Sequence, residues 1–593
     1  VPEEVFSGNK FPVIKDSPYV LTLGFHDYFW FLLRKQKEVA RIEKREDIPD
    51  FSVSGNWNTI FRGKAKERLE REILPVYLER CRWFGGKARK MQGTKIVENI
   101  PMENGSSFTQ LLFIEVQYVD GLSDVYLLPV SFSSENDVEK ISKENPQAVI
   151  SYLKCGDTKG YMYDGIYGEG FRTTLVQLIG KRQSVKGING EITTYSGKIA
   201  KNNHKAIAIP LEKSQVLKAE QSNTSLLYGN KLFFKLYRKL DEGINPDLEI
   251  GKFLSEEVLF SNVPSFAGAV EYRREGVPSV VLGLLQNYVP NQGDAWKLTL
   301  DSLRGYFERV LSRKSEVKEI QKASLSLLDT AFQEIPVLFH ELIGGVYLEM
   351  TRLLGKRTAE LHLALSSNTE DPNFAPEPFS MLYQRSLYQS MQSLTKKVFG
   401  VLRKNLKNFS DDSRQELDQI LGFEKKIMEC FRSLLRKKVA AMKIRIHGDY
   451  HLGQVLYTGN DFVIIDFEGE PLRALSERRL KRSPLRDVAG MIRSFHYAAF
   501  SSIFNYMPIK PEEQKQLETW AFLWYKNVVA MFLRSYLDTV KDAPFIPRDK
   551  DELNVMLRAY LIEKAVYEIG YEMNNRPEWL IIPMKGIKDL IEI

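Results

Sequence analysis

The densest set of chemically capable residues lies in MKIRIHGDYHLGQVLYTGNDFVIIDFEGEP, residues 442–471. Met442, Ile444 and Ile446 alternate with polar residues, which predicts a strand. Val455-Leu456-Tyr457 and Phe462 to Ile465 predict two more, joined by the turn Thr458-Gly459-Asn460-Asp461. Polar groups therefore stand at strand ends: Asp449 after the first strand, Gln454 before the second, Asp466 at the close of the third. The hairpin brings Gln454 and Asp466 together. Two carboxylates and a carboxamide gathered in this way suit phosphoryl transfer. One carboxylate orients the attacking hydroxyl, and the other two groups hold Mg²⁺, a hard cation that prefers oxygen ligands.

The spacing agrees with that chemistry. In the protein-kinase catalytic loop, H-R-D-x-x-x-x-N, the Asn follows the Asp by five residues and a D-F-G comes later. Here Gln454 follows Asp449 of His447-Gly448-Asp449 at the same interval, and Asp466-Phe467-Glu468 stands where D-F-G would. Gln in place of Asn keeps the carboxamide oxygen on a longer arm, and Glu468 replaces the Gly. A nucleotide also needs a cation for its phosphates. Lys235 sits mid-strand in KLFFKLYRKL (231–240), where Leu232, Phe234 and Leu236 face one way and Phe233, Lys235 and Tyr237 the other. NPDLEIGKFL then opens a helix, with Asn245 as N-cap and Pro246 as first helical residue. Glu249 falls in its first turns, placed to hold Lys235 as the kinase helix Glu does; a plain half-exposed strand lysine is the alternative. No G-x-G-x-x-G exists, so the loop QSNTS (221–225) would cover the phosphates through Ser222, Asn223, Thr224 and Ser225, or be an ordinary turn. LLQNYVPNQGDAW (284–296) reads as the hinge, with the backbone of Gln286 to Tyr288 meeting adenine.

Other residues nearby have two readings. His447 and His451 flank Asp449 and would suit a hydrolase metal cluster. Only seven histidines exist, however, and no third lies close in sequence, so His451 reads better as a site wall or a structural residue. Glu468, Glu470 and Arg473 follow the metal-side Asp and would face a sugar's hydroxyls. Arg486 and Asp487 open the helix of SPLRDVAGMIRSFHYAA (483–499), either as site residues or as a cap and salt bridge. WFGGKARK (83–90) lacks the preceding strand of a phosphate cradle and reads as a structural turn.

The elements that must position these groups are mixed in type. AKERLEREILPVYLERCRW (65–83) has helical spacing, with Leu69, Ile73, Val76 and Tyr77 on one face. Residues 94–210 alternate short apolar strands such as LLFIEVQYV (111–119) and VYLLPVSF (125–132) with turns, and FRTTLVQLIG (171–180) reads as a helix. Residues 300–440 and 510–593 are helix-rich. At about 150 residues per domain, 593 residues predict roughly four compact units. A hydrophobic content of 43% excludes wholesale disorder. The net charge of +7 is mild and its signs are interspersed, so no nucleic-acid partner is expected. Cys81, Cys155 and Cys430 lie too far apart for a CxxC site and predict no disulfide framework, so a reducing, cytoplasmic location is expected. VPEEVFSGNK has no apolar secretory core, and AFLWYKNVVAMFL (521–533), broken by Lys526 and Asn527, reads as a buried helix rather than a membrane span. Val1 in place of Met predicts a piece of a longer protein.

Several long motifs carry a family resemblance: CRWFGGKAR, AEQSNTSLLYG, FFKLYRKLDEGINPDLEIGKFL, HGDYHLGQVL, VIIDFEGEPLR, SPLRDVAGMIRSF and EKAVYEIGYEMNNRPEWLIIP. In this order, over roughly residues 55–593, they resemble bacterial maltokinases. The resemblance implies an α+β, two-lobed protein-kinase-like (aminoglycoside phosphotransferase-like) fold with an N-terminal cap subdomain. It implies ATP and Mg²⁺ as cofactors and maltose as acceptor, phosphorylated at its anomeric hydroxyl for α-glucan synthesis. Asp449 would then be the catalytic carboxylate, Lys235 and Glu249 the ATP-side pair, and Gln454 and Asp466 the Mg²⁺ ligands. His447, His451, Glu468 and Arg486 are candidate sugar contacts. Residues 1–33 resemble the last β-hairpin of trehalose synthases, α-amylase-family enzymes that interconvert trehalose and maltose, so a fusion to or association with such an enzyme is expected. The expected organisation is a β remnant at 1–35, a linker at 36–54, a cap at 55–155, a kinase N-lobe at 156–290 and a helical C-lobe at 291–593. A kinase for another small hydroxylated molecule, or a degenerate kinase-like scaffold, remains open.

Overall fold

The computed structural model describes residues 2–4, 31–33, 48–104, 107–134, 141, 143–198, 214–217, 222–313, 326–409, 411–471, 473–505 and 511–592. The chain divides into two units: Val1–Lys252 with Ser265–Tyr288, and Phe253–Pro264 with Val289–Ile593. Pro2–Glu4 pairs antiparallel with Phe31–Leu33. The rest of the expected N-terminal hairpin and most of the expected linker lie outside the described residues.

Two seven-stranded sheets build the first unit. One runs in the order Asp50–Val53, Val149–Cys155, Thr158–Asp164, Asp124–Ser134, Ser107–Tyr118, Met91–Asn104, with Lys239–Leu240 added on Asp124–Ser134. Its long strands, of 14, 12 and 11 residues, replace the short strands expected from the sequence. The middle of Ser107–Tyr118 and of Asp124–Ser134 is buried on both faces, which explains the unbroken apolar run at 111–114. Leu112, Ile114 and Val116 face Leu69, Ile73, Leu74, Tyr77 and Leu78 of the helical segment 63–80. Leu111 and Phe113 face the opposite core, shared with the helix Glu169–Lys181 and with Leu226, Phe234 and Leu285 of the second sheet. Two expected boundaries shift. Asp50–Val53, placed in the linker, is a strand parallel to Val149–Cys155. The division at 155/156 falls inside the hairpin of Val149–Cys155 with Thr158–Asp164, whose ladder bonds no domain boundary would cross.

The second sheet is antiparallel throughout: Ser214–Val216, Thr224–Tyr228, Leu232–Leu236, Val277–Asn287, Phe266–Arg274, Glu191–Ser196, Val185–Lys186. The turn between its second and third strands uses Gly229 and Asn230, both at φ 54°, the left-handed pair that a tight hairpin requires. Buried Glu98 ties the two sheets together: it accepts from the backbone N–H of Ile188 and Asn189 at 2.8 Å and from the Tyr272 hydroxyl at 2.6 Å.

The second unit is mainly helical, with long helices at Ala295–Ser312, Gly345–Leu365, Met381–Asn405, Leu485–Asn505, Pro511–Val540 and Lys550–Asn575. Residues 521–533 lie within Pro511–Val540 and are buried almost throughout. No helix among the described residues is long and apolar enough to cross a membrane.

Candidate active site

In the first unit, alternation along Leu232–Leu236 does what the sequence predicts. Phe234 packs into the inter-sheet core, while Lys235 stands on the opposite face, 5% exposed. That face is an apolar bed of Tyr237, Phe266, Ala269, Val281 and Leu284, closed by Leu248 of the helix Pro246–Lys252. Asn245 Oδ1 caps this helix by accepting from Asp247 N at 2.8 Å. The carboxylate placed on Lys235 Nζ is Asp247 Oδ2, at 3.2 Å, and the Tyr237 hydroxyl donates to the same oxygen at 3.0 Å. Glu249, the expected partner, lies two residues further on in the same helix. Sequence reasoning matched the kinase spacing and passed over Asp247, the first-turn carboxylate whose N–H Asn245 caps.

The QSNTS residues divide by the same alternation. Ser225 opposes Lys235 across the ladder and shares its face. Its hydroxyl is buried and has no hydrogen-bond partner among the described residues. Thr224 faces the other way, and its Oγ1 accepts from Arg238 Nε at 2.8 Å, so it does not cover phosphates as expected. Ser222 and Asn223 precede the strand; Ser222 is exposed and Asn223 half-buried. Arg238 is 1% exposed, donates to Asp164 Oδ2 at 2.6 Å, and lies over the Trp83 ring at 4.7 Å. WFGGKARK is thus the structural turn anticipated: Trp83 seats Arg238, which holds the start of the Ser225 strand. Gly86 is needed there, since a Cβ would come within 2.3 Å of the Tyr118 hydroxyl. At the expected hinge, Gln286 lies in the strand Val277–Asn287. The Tyr288 N–H donates to Lys231 O at 2.8 Å, so it extends the ladder and is not a spare donor for adenine.

In the second unit, the segment around Asp449 has little regular structure. The expected strand 442–446 is reduced to Met442–Lys443 and one bridge at Ile444. What holds the loop is Asp487, 1% exposed. Its carboxylate accepts from the backbone N–H of His447 at 2.7 Å and of Gly448 at 3.0 Å, and meets His362 Nε2 at 3.2 Å. Burial alone would raise the Asp487 pKa; His362 and these backbone donors hold it below the usual carboxylate value. Tyr450 bonds Thr358 at 2.9 Å, Leu452 N–H donates to Ser494 at 3.1 Å, and Gly490 lets the loop lie close, because a Cβ would be 2.6 Å from Tyr450 O.

The predicted hairpin forms, with Val455 opposite Ile464, and Arg357 clamps its turn through two bonds to Asp461 at 2.8 and 2.7 Å. It brings Gln454 Nε2 to Asp466 Oδ2 at 2.9 Å. Asp466 sits at φ 67°, a strained conformation for a non-glycine residue, of the kind that collects at functional sites. A carboxylate oxygen of Glu468 lies within 4.8 Å of one of Asp466. Asp466 and Glu468 thus place carboxylate oxygens close together, which suits Mg²⁺, while Gln454 turns its amide nitrogen to Asp466.

The candidate sugar contacts resolve differently. His447 is 1% exposed, its Nε2 lies 2.9 Å from Ile465 O, and its ring packs on Tyr450 and Phe467. It supports the loop rather than lining a sugar wall. His451 Nδ1 accepts from Gly453 N at 3.1 Å, and burial pulls its pKa below the ordinary value. Arg486 forms the salt bridge of its second reading, to Glu563 at 3.2 Å and Glu470 at 3.9 Å. Sequence reasoning missed Lys564, in the helix Lys550–Asn575. Its Nζ lies 3.5 Å from Asp449 Oδ1 and 3.7 Å from Glu470 Oε1. Burial would raise the Glu470 pKa, but Lys564, Arg486 and Arg473 pull it down to about 2.

Comparison with known proteins decides the architecture. Residues 77–167 match the maltokinase N-terminal cap domain. The chain carries a maltokinase-type cap on a glucosamine-kinase-like fold. Its two-lobed, kinase-like plan with an N-terminal cap is shared with a glucosamine kinase solved in complex with glucosamine, ADP and inorganic phosphate, with a TM-score of 0.54 at 16% identity over 84% of this chain and 93% of that one. A second crystal form of a glucosamine kinase gives 0.56 at 16% identity over 86% and 95%. Among curated proteins, the chain is 20% identical over 431 residues to a glucosamine kinase of Streptacidiphilus jiangxiensis, covering 72% of this chain and 82% of the relative. It is 22% identical over 381 residues to one of Mycolicibacterium smegmatis, covering 63% and 78%.

Proposed function

We propose that the chain is an ATP-dependent sugar kinase that transfers the γ-phosphate of ATP to the anomeric hydroxyl of maltose, giving maltose 1-phosphate. The observation that carries this reading is a maltokinase cap domain on a chain that retains Asp449 and brings Gln454 and Asp466 together. In this reading Lys235, held by Asp247, and the Ser225 hydroxyl contact the ATP phosphates. Gln454 and Asp466, joined by Glu468, hold Mg²⁺, which supplies charge neutralisation at the phosphates. Asp449 accepts a hydrogen bond from the anomeric hydroxyl, orients it and takes its proton late. The Lys564 ammonium fixes Asp449. Positioning and electrostatics carry most of the rate. The resemblance of residues 1–33 to a trehalose synthase hairpin supports that enzyme class as the maltose source, fused or associated, in the cytoplasm.

A second reading, an amino-sugar kinase, is favoured by the names of the curated relatives. An ammonium acceptor would, however, meet Lys564 beside Asp449, a like charge at the attack position, and nearby Glu470 is already engaged by Lys564, Arg486 and Arg473. This supports a neutral sugar. Phosphorus NMR of the purified chain with ATP, Mg²⁺ and maltose, glucose, trehalose or glucosamine distinguishes the readings. An anomeric phosphate on maltose alone is the expected result; transfer to glucosamine in preference moves the assignment to the amino-sugar class.

A further inference from the structure

We propose that the second unit carries an anion-binding cavity, separate from the catalytic carboxylates, that takes a small phosphate-bearing ligand such as a sugar phosphate. A cavity of about 540 Å³ is lined by Lys443, Arg445, Arg473, Arg479, Lys481 and Arg482. The acidic residues in the same wall are Glu377 and Glu477, leaving an excess of four positive charges in the lining, one of which, Arg473, is also paired with Glu470 outside it. The overall charge of +7 is spread over 593 residues, so this is a strong local concentration.

The chain builds the wall from two segments. Along 442–446, Ile444 and Ile446 are 0% and 5% exposed and face the core, and the alternate residues Lys443 and Arg445 line the cavity. The run Arg478-Arg479-Leu480-Lys481-Arg482 supplies the other side, pinned by the mutual backbone bonds of Ile444 and Arg482 at 2.9 and 2.8 Å. Two of the cations are themselves buried: Arg445 is 2% exposed, over the Phe374 ring at 5.5 Å, and Lys481 is 8% exposed. One carboxylate, Glu377, serves both Lys443 at 2.8 Å and Lys481 at 3.0 Å. Concave walls of one sign concentrate counter-ions, and guanidinium forks match phosphate oxygens. Asn373, Ser386 and Ser390 add amide and hydroxyl groups suited to a sugar's hydroxyls. The volume falls within the ~300–1,000 Å³ range of small-molecule sites. The acidic, metal-side donors Asp466 and Glu468 form no part of this wall.

Titration calorimetry of the full chain without ATP, using inorganic phosphate, glucose 1-phosphate and glucose, tests the site. Saturable binding of glucose 1-phosphate and none of glucose is expected. Tighter binding of glucose 1-phosphate than of phosphate assigns a sugar phosphate; equal binding assigns free phosphate; both support the site. Arg479→Ala with Lys443→Ala should weaken binding by at least about tenfold, from the lost charged hydrogen bonds. Arg479→Lys should retain part of it, and Lys235→Ala should leave it unchanged. Arg473 is left intact because it also donates to Glu470. An unchanged unfolding midpoint in Arg479→Ala alone guards against misfolding. Absence of saturable binding, equal binding of glucose, or binding that is lost with Lys235→Ala and kept in the cavity variants would overturn the proposal.

Discussion

The strand that carries Lys235 is held by regular structure, whereas the loop that carries Asp449 has almost none. Lys235 lies between two ladder partners, Ser225 and Leu284, so pleating aims its side chain and the sheet satisfies its backbone. Asp449 follows two backbone N–H groups whose acceptor is the side chain of Asp487, about forty residues downstream. A strand aims a functional group by geometry that many sequences share. A loop needs a dedicated buried charge, and its failure costs more.

That difference sets the expected order of effects. Asp487→Ala should be the most damaging substitution, because it strips the acceptor from His447 and Gly448 and a partner from His362. A loss of about 3–5 kcal/mol in denaturant unfolding is expected, and a loss near zero would break the comparison. Lys235→Met should act on nucleotide rather than on the loop. Losing a charged contact worth about 1.5–3 kcal/mol should raise the KM for ATP roughly 10- to 100-fold, and an unchanged KM would remove Lys235 from the nucleotide side. Thr224→Val and Ser225→Ala sharpen the alternation argument. The first should lower stability by about 1 kcal/mol by leaving Arg238 Nε unmet, with the ATP KM little changed; the second should do the reverse. The last effect is read through pH and comes from Glu470. Its folded pKa of about 2 lies below the ordinary 4.5, so its contribution to stability is fully present above pH 4.5 and is lost as pH falls toward 2. Unfolding midpoints across that window should fall more steeply in the parent chain than in Glu470→Gln.

The same contrast explains what could be read from the chain. Lys235, Tyr237 and Phe234 were legible because strand alternation is local, and Asn245 because an N-cap is local. The hairpin joining Gln454 to Asp466 was legible because turn residues separate two apolar runs. Asp487 and Lys564 were not legible as supports of Asp449: they lie 38 and 115 residues away in sequence, and only the packing of helices Leu485–Asn505 and Lys550–Asn575 brings them in. His447 was read toward the substrate because its type suits chemistry, yet burial and its bond to Ile465 O make it structural. The cap strands were read as short because both of their faces are apolar, which hides the period that marks a strand's length.

The central claim is that Asp449 acts on the acceptor hydroxyl while other groups hold the nucleotide. Its most direct test is Asp449→Asn, followed by the rate of phosphate transfer from ATP to maltose and by ADP affinity on the same preparation. Transfer should fall by on the order of 10²–10⁴-fold with ADP affinity unchanged. Transfer within a few-fold of the parent rate, in a variant that still binds ADP, would contradict it.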